Sequence, residues 1–227
     1  MQTVKEGENM CFKHIGSATI LCTILAGLLF GCANGSSDAL SSLAAAQITE
    51  YSGAKLGSIE DFRENSIKGP QTVDISTYKL TVDGLVEKPA SYTYDEVLAN
   101  PKYTKVVTLY CVEGWDVTIL WEGVLLKDLF DKSTVSGSAN TVIFHSVDGY
   151  TTSLPLQTIL DKNMILAYKM NEVVLPPERG YPFQLVAEDK LGYKWAKWID
   201  RIELSDDADY KGYWEKRGYE NEAETRS

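Results

Sequence analysis

The sequence predicts an α+β domain in which short strands outnumber helices. Runs of β-branched and aromatic residues alternate with polar ones, as they do in half-buried strands, and turn residues separate these runs at short intervals. Only a few stretches have helical spacing. With 44% hydrophobic and 11% aromatic residues in 227, the chain can bury a substantial core. It contains no internal repeat, so we expect one domain after the N-terminal leader.

The predicted elements follow from alternation, caps and turn signals. Strands are expected at Tyr78–Val86, Lys105–Cys111, the two halves of Thr141–Leu154, Met164–Met170, Phe183–Ala187 and Trp198–Leu204. Helices are expected at Ser91–Leu98, Trp121–Phe130 and Leu156–Leu160. The pair Asp148-Gly149, between two apolar runs, is a strong hairpin-turn signal.

The N-terminus has the layout of an export signal. Lys13 and His14 precede the apolar run Ile20–Phe30, which is too short to span a bilayer comfortably. The run ends in Leu-Phe-Gly-Cys, which resembles a bacterial lipoprotein signal with Cys32 as the lipidated first residue. The alternative is a short transmembrane anchor. We predict a signal peptide over 1–31, a lipid-anchored tether and connecting segment over 32–61, the folded domain over 62–219 and a solvated tail over 220–227.

This N-terminal signal predicts a lipoprotein that faces the periplasm or the cell exterior and contacts the membrane through its lipid anchor only. The net charge of -10 argues against nucleic acid and anionic membrane surfaces as partners. Cys11 and Cys22 lie in the leader, so Cys111 is the single thiol of the exported domain and has no partner for an internal disulfide.

Cys111 ends an apolar strand and precedes Gly114, a residue that lets a ligand approach the backbone. Such a thiol is either a small buried hydrophobe or a group bonded to a metal or an electrophile. A Cys–His nucleophile pair would need His145, which lies within a predicted strand. A cysteine acting without a metal would need an exposed thiol of low pKa, and the sequence shows no sign of one.

Other familiar sites are excluded. With His14 in the leader, His145 alone cannot make a multi-histidine metal site, and no glycine-rich phosphate loop is present. The stretch Leu191–Trp198 interleaves lysines, which suit phosphate, with aromatic rings, which suit a flat ring. It could equally be a surface loop that caps the core. Arg179–Pro182 and Arg63–Pro70 offer further donors, the latter either to a polyanionic ligand or as a plain loop.

Together and in this order, these segments resemble the sulfite-oxidase-type molybdopterin-binding domain, and most closely its compact, haem-free bacterial branch, which includes the periplasmic methionine sulfoxide reductase catalytic subunit. The resemblance covers about residues 62–219. The matching segments are Tyr110–Trp115, Trp121–Leu126, Asp148–Tyr150, Leu166–Asn171, Leu175-Pro176, Arg179–Val186 and Lys194–Ile199.

The resemblance implies a β-rich mixed-sheet fold and a mononuclear molybdenum held by one cysteine thiolate and the pterin dithiolene. Carried over by position, Cys111 is the metal ligand and, with Arg179, a candidate catalytic residue. A soft thiolate suits such a centre. The residues matched to the cofactor site are Arg63, Asn65, Tyr110, Cys111, Ser146, Arg179, Gln184, Gly192, Tyr193, Lys194 and Lys197, of which Gly192, Tyr193, Lys194 and Lys197 match the loop that cradles the pterin phosphate.

Three departures from the family pattern matter. Glu113 stands in the turn where sulfite oxidases carry arginines, and its charge would repel sulfite. Gln184 replaces an arginine and removes one positive charge, which Arg179, in place of histidine or asparagine, partly restores. The leader also lacks the twin-arginine pair of exported molybdoenzymes.

The sequence therefore predicts an extracytoplasmic molybdopterin-dependent oxidoreductase that transfers an oxygen atom to or from a small molecule other than sulfite. Because no haem motif is present, electrons would come from a separate partner. The alternative is a lipid-anchored binding module that kept the fold and lost cofactor and catalysis. Gln184 and the export signal favour this alternative, whereas Cys111 and the lysine loop favour the enzyme.

Overall fold

The structure, a computed structural model, describes residues 35–225. The predicted signal peptide, Cys32 and the first residues of the predicted tether lie outside this range. Within it, no helix is both long enough and apolar enough to cross a membrane.

Residues 35–225 form twelve strands and four α-helices. The strands are β1 (Glu50–Tyr51), β2 (Ala54–Lys55), β3 (Leu80–Gly84), β4 (Ala90–Tyr92), β5 (Lys102–Tyr110), β6 (Asp116–Leu125), β7 (Thr141–Ser146), β8 (Thr151–Pro155), β9 (Ile165–Met170), β10 (Val173–Val174), β11 (Gln184–Leu185) and β12 (Ile199–Ser205). The helices are α1 (Gly35–Ala46), α2 (Tyr94–Leu98), α3 (Leu126–Ser133) and α4 (Leu156–Asp161).

Two five-stranded sheets make up the domain, beside a small β1–β2 hairpin. One sheet has the order β10-β9-β6-β5, with β11 also paired to β9, and the other has the order β4-β3-β12-β7-β8. The pairing of β12 with β3 is parallel and makes the second sheet mixed. Both sheets contribute to one core, whose largest fully buried side chains include Trp121, Phe144, Phe183 and Trp198. This is the α+β, strand-rich architecture that the sequence predicts.

The predicted hairpin at Asp148-Gly149 is confirmed. Ser146 donates its backbone N–H to Tyr150 O at 3.0 Å, and Gly149 donates to Ser146 O at 2.8 Å. Gly149 has a φ of +86°, which glycine adopts without steric cost. The hairpin thus carries Ser146 and Asp148 to one end of the second sheet.

The predicted helix over Trp121–Phe130 is wrong in its first half. Residues up to Leu125 belong to β6, and α3 begins at Leu126. β6 lies between β5 and β9 and is buried on both faces, so Leu120 and Trp121 are both in the core and the strand shows no clear alternation. Gly123 permits this packing, because a Cβ there would lie 2.2 Å from Leu166 O.

Both ends of the described chain are more ordered than the sequence predicts. Where a flexible tether is expected, residues 35–46 form α1, and Leu40 and Leu43 pack against the core because they share one helix face. Where a solvated tail is expected, Ala223 is fully buried and its carbonyl accepts a hydrogen bond from Leu191 N at 2.8 Å. We refer to residues 215–225 as the C-terminal clasp.

Candidate active site

Cys111 lies where β5 ends and the chain turns. The turn is closed by hydrogen bonds from Cys111 N to Trp115 O (2.9 Å) and from Gly114 N to Cys111 O (3.1 Å). Cys111 is 9% exposed and forms no disulfide within the described chain, and Asn65 Nδ2 lies 3.8 Å from its Sγ. Burial raises the pKa of the Cys111 thiol, and the Glu113 carboxylate adds to the rise. The free thiol is therefore protonated at neutral pH and is not an activated nucleophile.

His145 does not assist this thiol. It lies in β7, and its Nε2 is 2.9 Å from Glu203 Oε2 and 3.3 Å from Arg201 Nη1. It lines neither of the cavities that contain Cys111. A Cys–His nucleophile pair is therefore not formed.

Two neighbouring cavities meet at Cys111. The larger is a cleft of about 760 Å³, part of it open to solvent, and the smaller holds about 400 Å³. The side chains and backbone common to both belong to Asn65, Cys111, Gly192, Trp195 and Lys197. Six aromatic rings line the larger cleft, namely those of Tyr150, Tyr193, Trp195, Trp198, Trp214 and Tyr219.

The 192–197 loop reaches Cys111 because Leu191 forms a parallel bridge with Tyr110 at the end of β5. Gly192–Lys194 then make a 3₁₀ turn. A Cβ on Gly192 would lie 3.5 Å from Tyr110 O and 3.7 Å from Cys111 Cα, so the loop passes close to the backbone of Tyr110 and Cys111.

Lys194 points away from both cavities. Its fully buried ammonium donates to Glu215 Oε1 (2.5 Å), Asn221 Oδ1 (2.9 Å) and Ser153 O (3.0 Å). Glu215 is equally buried, with a side-chain exposure of 0%. All three donors of the ammonium are used, so Lys194 in this arrangement anchors the loop and offers no charge to a ligand.

Lys197 is the lysine of the loop that lies in the cavities. Its Nζ is 3.1 Å and 3.0 Å from the two carboxylate oxygens of Glu64 and 4.5 Å from the ring centre of Trp198. Burial lowers the pKa of Lys197, while Glu64 opposes that change. Burial alone would raise the pKa of Glu64, but the charge of Lys197 and the hydrogen bonds from Lys197 and the backbone N–H of Ser66 together outweigh it and lower that pKa.

Arg179 holds the chain in front of the cavities. Its Nε donates to Ile59 O at 3.0 Å, its Nη2 donates to Phe62 O at 3.1 Å, and its Nη1 lies 3.8 Å from Glu64 Oε2. It also lines the smaller cavity, so it can act on a ligand as well as on the backbone.

The structure brings together most of the other predicted site residues. Arg63 and Gln184 line the smaller cavity, and Tyr193 lines the larger one. Burial raises the pKa of Tyr193 to about 12, so its hydroxyl stays protonated, and it donates to Glu220 O at 2.8 Å. Tyr110 is 46% exposed and lines neither cavity.

Several residues of the site carry no clear signal in the sequence. Glu64 and Glu215 are single acidic residues among many, and no spacing links them to the lysines that they contact. Trp214 and Tyr219 close the far side of the larger cleft from a segment that reads as a charged tail. Of these residues, only Tyr150 could be predicted from the sequence, because it belongs to the Asp-Gly-Tyr segment.

The chemistry of the cavities fits a pterin with a phosphate and a thiophilic metal. The hydroxyls of Ser66 and Ser146 are buried and have no hydrogen-bond partner among the described residues, and of the two only Ser66 lines one of these cavities. Such orphaned donors are uncommon unless a ligand or water completes them. Lys197 supplies positive charge, the rings supply flat apolar surface, and Cys111 supplies a soft ligand. Within residues 35–225 no group of three His, Cys, Asp or Glu side chains is placed to hold a metal without a cofactor.

The fold and the thiol-centred cavities define a molybdopterin-binding oxidoreductase domain. A model of the family described as the oxidoreductase molybdopterin binding domain matches residues 67–214. The chain belongs to this family.

Two relatives illustrate its place in the family. The chain is 35% identical over 151 residues to the uncharacterized oxidoreductase YuiH of Bacillus subtilis, a match that covers 66% of this chain and 76% of the relative. It is 33% identical over 147 residues to a putative protein-methionine-sulfoxide reductase subunit, YedZ1, of Azospira oryzae, with 65% of this chain and 56% of the relative covered.

More distant matches agree on the fold. The protein-methionine-sulfoxide reductase catalytic subunit MsrP of Ralstonia nicotianae is 28% identical over 145 residues, which is 57% of this chain and 44% of that protein. The solved structure of the sulfane dehydrogenase SoxCD from Paracoccus pantotrophus superposes with a TM-score of 0.59 at 24% identity, over 63% of this chain and 41% of that one. The predicted sulfite-oxidase-type fold is confirmed.

Proposed function

We propose that the protein is a molybdopterin-dependent oxidoreductase that transfers an oxygen atom to or from a small molecule, with Cys111 as the protein ligand of molybdenum. The observation that carries this proposal is the position of Cys111, the one free thiol of the described chain, at the meeting point of two cavities that also contain Lys197. When bound, the molybdenum centre supplies the two-electron oxygen-atom chemistry.

The residues of the chain have separate roles in this proposal. Cys111 loses its proton when the metal binds, since a metal ligates the thiolate and competes with the proton. Lys197 neutralises the pterin phosphate as a point charge. The unpartnered hydroxyl of Ser66, which lines the larger cleft, donates a hydrogen bond to a polar atom of the cofactor, and the aromatic wall of that cleft excludes water from the faces of the cofactor.

On the side of the larger cleft, the charge beside the thiol disfavours anionic substrates, because two carboxylates line this cleft and its one cation among the described residues, Lys197, is paired with Glu64. Glu113 follows Cys111 closely in the turn, and Asp148, which is 2% exposed, lies in the larger cleft. Carboxylates near the reacting centre raise the cost of bringing in a second negative charge. A neutral oxygen-atom donor, such as a sulfoxide, therefore suits the site better than sulfite does.

The proposal includes a separate electron-transfer partner and an extracytoplasmic location. The sequence contains no haem-attachment motif, and relatives are named as subunits, which supports a protein that exchanges electrons with another chain. The lipoprotein-like ending at Cys32 supports an exported, lipid-anchored form.

A binding module without catalysis is the second candidate. It is favoured by the neutralisation of both loop lysines inside the protein, Lys194 by Glu215 and Lys197 by Glu64. Such a protein would keep the fold and bind no molybdenum.

The test is the molybdenum and pterin content of the protein purified from its own host, compared with Cys111→Ser. The proposal predicts near-stoichiometric metal and pterin in the natural protein, and turnover of neutral sulfoxides with an artificial reductant that the variant lacks. Absence of both metal and pterin from the natural protein would establish the binding module instead.

A further inference from the structure

The segment 62–69, which we call the cleft strap, passes across the cavities in front of Cys111. Phe62 and Arg63 line the smaller cavity, Ser66 and Ile67 line the larger one, and Asn65 lines both. Within the described chain, no backbone-to-backbone hydrogen bond joins this strap to another element. Its position therefore depends on side-chain contacts.

Two cations hold the strap through one carboxylate. Glu64 receives both hydrogen bonds from Lys197 and lies 3.8 Å from Arg179 Nη1. The side chains of Lys197 and Arg179 are only 17% and 6% exposed, whereas that of Glu64 is 28% exposed. Arg179 also binds the start of the strap through Phe62 O, so Glu64 fixes its middle.

The same two cations lie in the smaller cavity beside Cys111. Both line this cavity together with the thiol. Burial lowers the pKa of each cation, because it removes the charge from water. The charge of Arg179 also disfavours the charged form of Lys197. Without a carboxylate or another anion between them, two buried cations would repel each other, so the pair requires an anion.

Glu64 is less enclosed than Glu215, the carboxylate that pairs with Lys194. The Lys194–Glu215 pair has no exposed side-chain surface, and the carboxylate also accepts a hydrogen bond from Thr152 at 2.8 Å. Glu64 is partly exposed and lies on a strap that, in the described chain, makes no backbone-to-backbone hydrogen bond to another element, so its movement would break no sheet or helix.

We propose that Arg179 and Lys197 form an oxyanion site that Glu64 holds closed, and that the phosphate group of a ligand takes the place of Glu64 and releases the cleft strap. The identification of that ligand as a phosphate monoester rests on the proposed function. Glu64 acts through Lys197 and is a positioning residue.

The first experiment measures strap opening without any cofactor. The full chain, Glu64→Gln and the control Glu122→Gln are treated with an alkylating reagent and, separately, with trypsin. Glu122 is a suitable control because it also contacts two lysines, Lys102 at 3.2 Å and Lys169 at 3.6 Å, away from the cavities. Mass spectrometry quantifies labelling at Cys111 and cleavage after Lys68.

The proposal predicts that Glu64→Gln raises both rates about fivefold, the change that follows from losing one partly buried ion pair. Glu122→Gln should behave like the natural chain, and thermal unfolding should show all three proteins folded. Equal rates in Glu64→Gln and the natural chain would overturn the proposal.

The second experiment uses phenyl phosphate as the probe, with benzyl alcohol as the matched compound without phosphate. Binding is followed by tryptophan fluorescence, since Trp195 and Trp198 line the larger cleft. Phenyl phosphate should bind about fivefold more tightly to Glu64→Gln and should raise cleavage after Lys68 in the natural chain. Benzyl alcohol should do neither. If phenyl phosphate binds to the natural chain and cleavage after Lys68 does not increase, the proposed replacement of Glu64 by phosphate is wrong.

These results are independent of the metal analysis. A strap that opens as predicted in a protein without molybdenum would keep the oxyanion site and contradict the proposed function. A protein that contains molybdenum but whose strap does not respond to Glu64→Gln would support the proposed function and overturn the oxyanion site.

Discussion

The two lysines of the 192–197 loop have different roles, although they are of the same residue type and three positions apart. Lys194 makes a fully buried ion pair and holds the loop against the clasp, whereas Lys197 lies in the cavities with a partner that borders solvent. Burial decides the energetics of the two pairs. Breaking a buried pair leaves an uncompensated charge inside the protein, but breaking a partly exposed one lets water compensate.

Replacement of each lysine by methionine should therefore have different consequences for stability and for cofactor retention. Lys194→Met should lower the free energy of unfolding by about 4 kcal/mol, because Glu215 is left buried and charged. Lys197→Met should lower it by about 1 kcal/mol or less, but should reduce cofactor retention. Urea unfolding and molybdenum analysis of the purified proteins measure both. Equal losses of stability would contradict these roles.

The reactivity of Cys111 should reveal its surroundings in the cofactor-free protein. Burial and Glu113 raise the pKa of the thiol, so the reactive thiolate forms at higher pH than in an unstructured peptide. The rate of Cys111 alkylation should rise through a midpoint above that of a matched peptide, and Glu113→Gln should shift this midpoint downward. A midpoint at or below that of the peptide would show that the thiol is activated and would support the hypothesis of a cysteine that acts without a metal.

At the scale of the elements, Gly123 explains why the Trp-Glu-Gly segment is a strand and not the start of a helix. β6 and β9 approach closely at this point, and the register shifts between Glu122 and Gly123. A side chain at Gly123 would meet backbone atoms of Leu166 and Ala167 at 2.2–2.7 Å, which rotamer changes cannot relieve.

Gly123→Ala should consequently lower the free energy of unfolding by about 3 kcal/mol. Gly137→Ala is the matched control, since a Cβ at Gly137 would have no atom within 4 Å. Chemical denaturation of the two variants provides the comparison. If both variants matched the natural chain, the close packing of β6 on β9 would be wrong.

The strands and the hairpin could be predicted because their signals are local, as in Asp148-Gly149. The helix boundary at Leu126 could not, because a strand buried on both faces loses its alternation. In the site, the motif around Cys111 and the loop to Lys197 identify the region. The direction of the Lys194 side chain depends on Glu215, which is 21 residues away and carries no motif. Long-range ion pairs of this kind leave no trace in the spacing of a single sequence.

At the scale of the whole molecule, the segments flanking the matched family region complete the site. Glu64 precedes residues 67–214, and the C-terminal clasp follows them. The clasp supplies Glu215 and Asn221 to Lys194, and Tyr219 to the larger cleft, where its ring centre lies 5.1 Å from that of Tyr193.

Removal of residues 220–227 should therefore affect the cleft as well as stability. The deletion removes Asn221 from Lys194 and the carbonyl of Glu222 from the buried Lys190. The melting temperature should fall, and Cys111 should be labelled faster at temperatures where the truncated protein is still folded. A truncated protein with natural melting and labelling would show that the clasp has no role in the site.

The central claim, that Cys111 binds molybdenum, is tested most directly by X-ray absorption at the molybdenum edge of the protein from its own host and of Cys111→Ser. We expect one sulfur ligand fewer around molybdenum in the variant, with the pterin still bound through the contacts of Lys197. An unchanged sulfur shell in Cys111→Ser would contradict the assignment of Cys111 as the metal ligand.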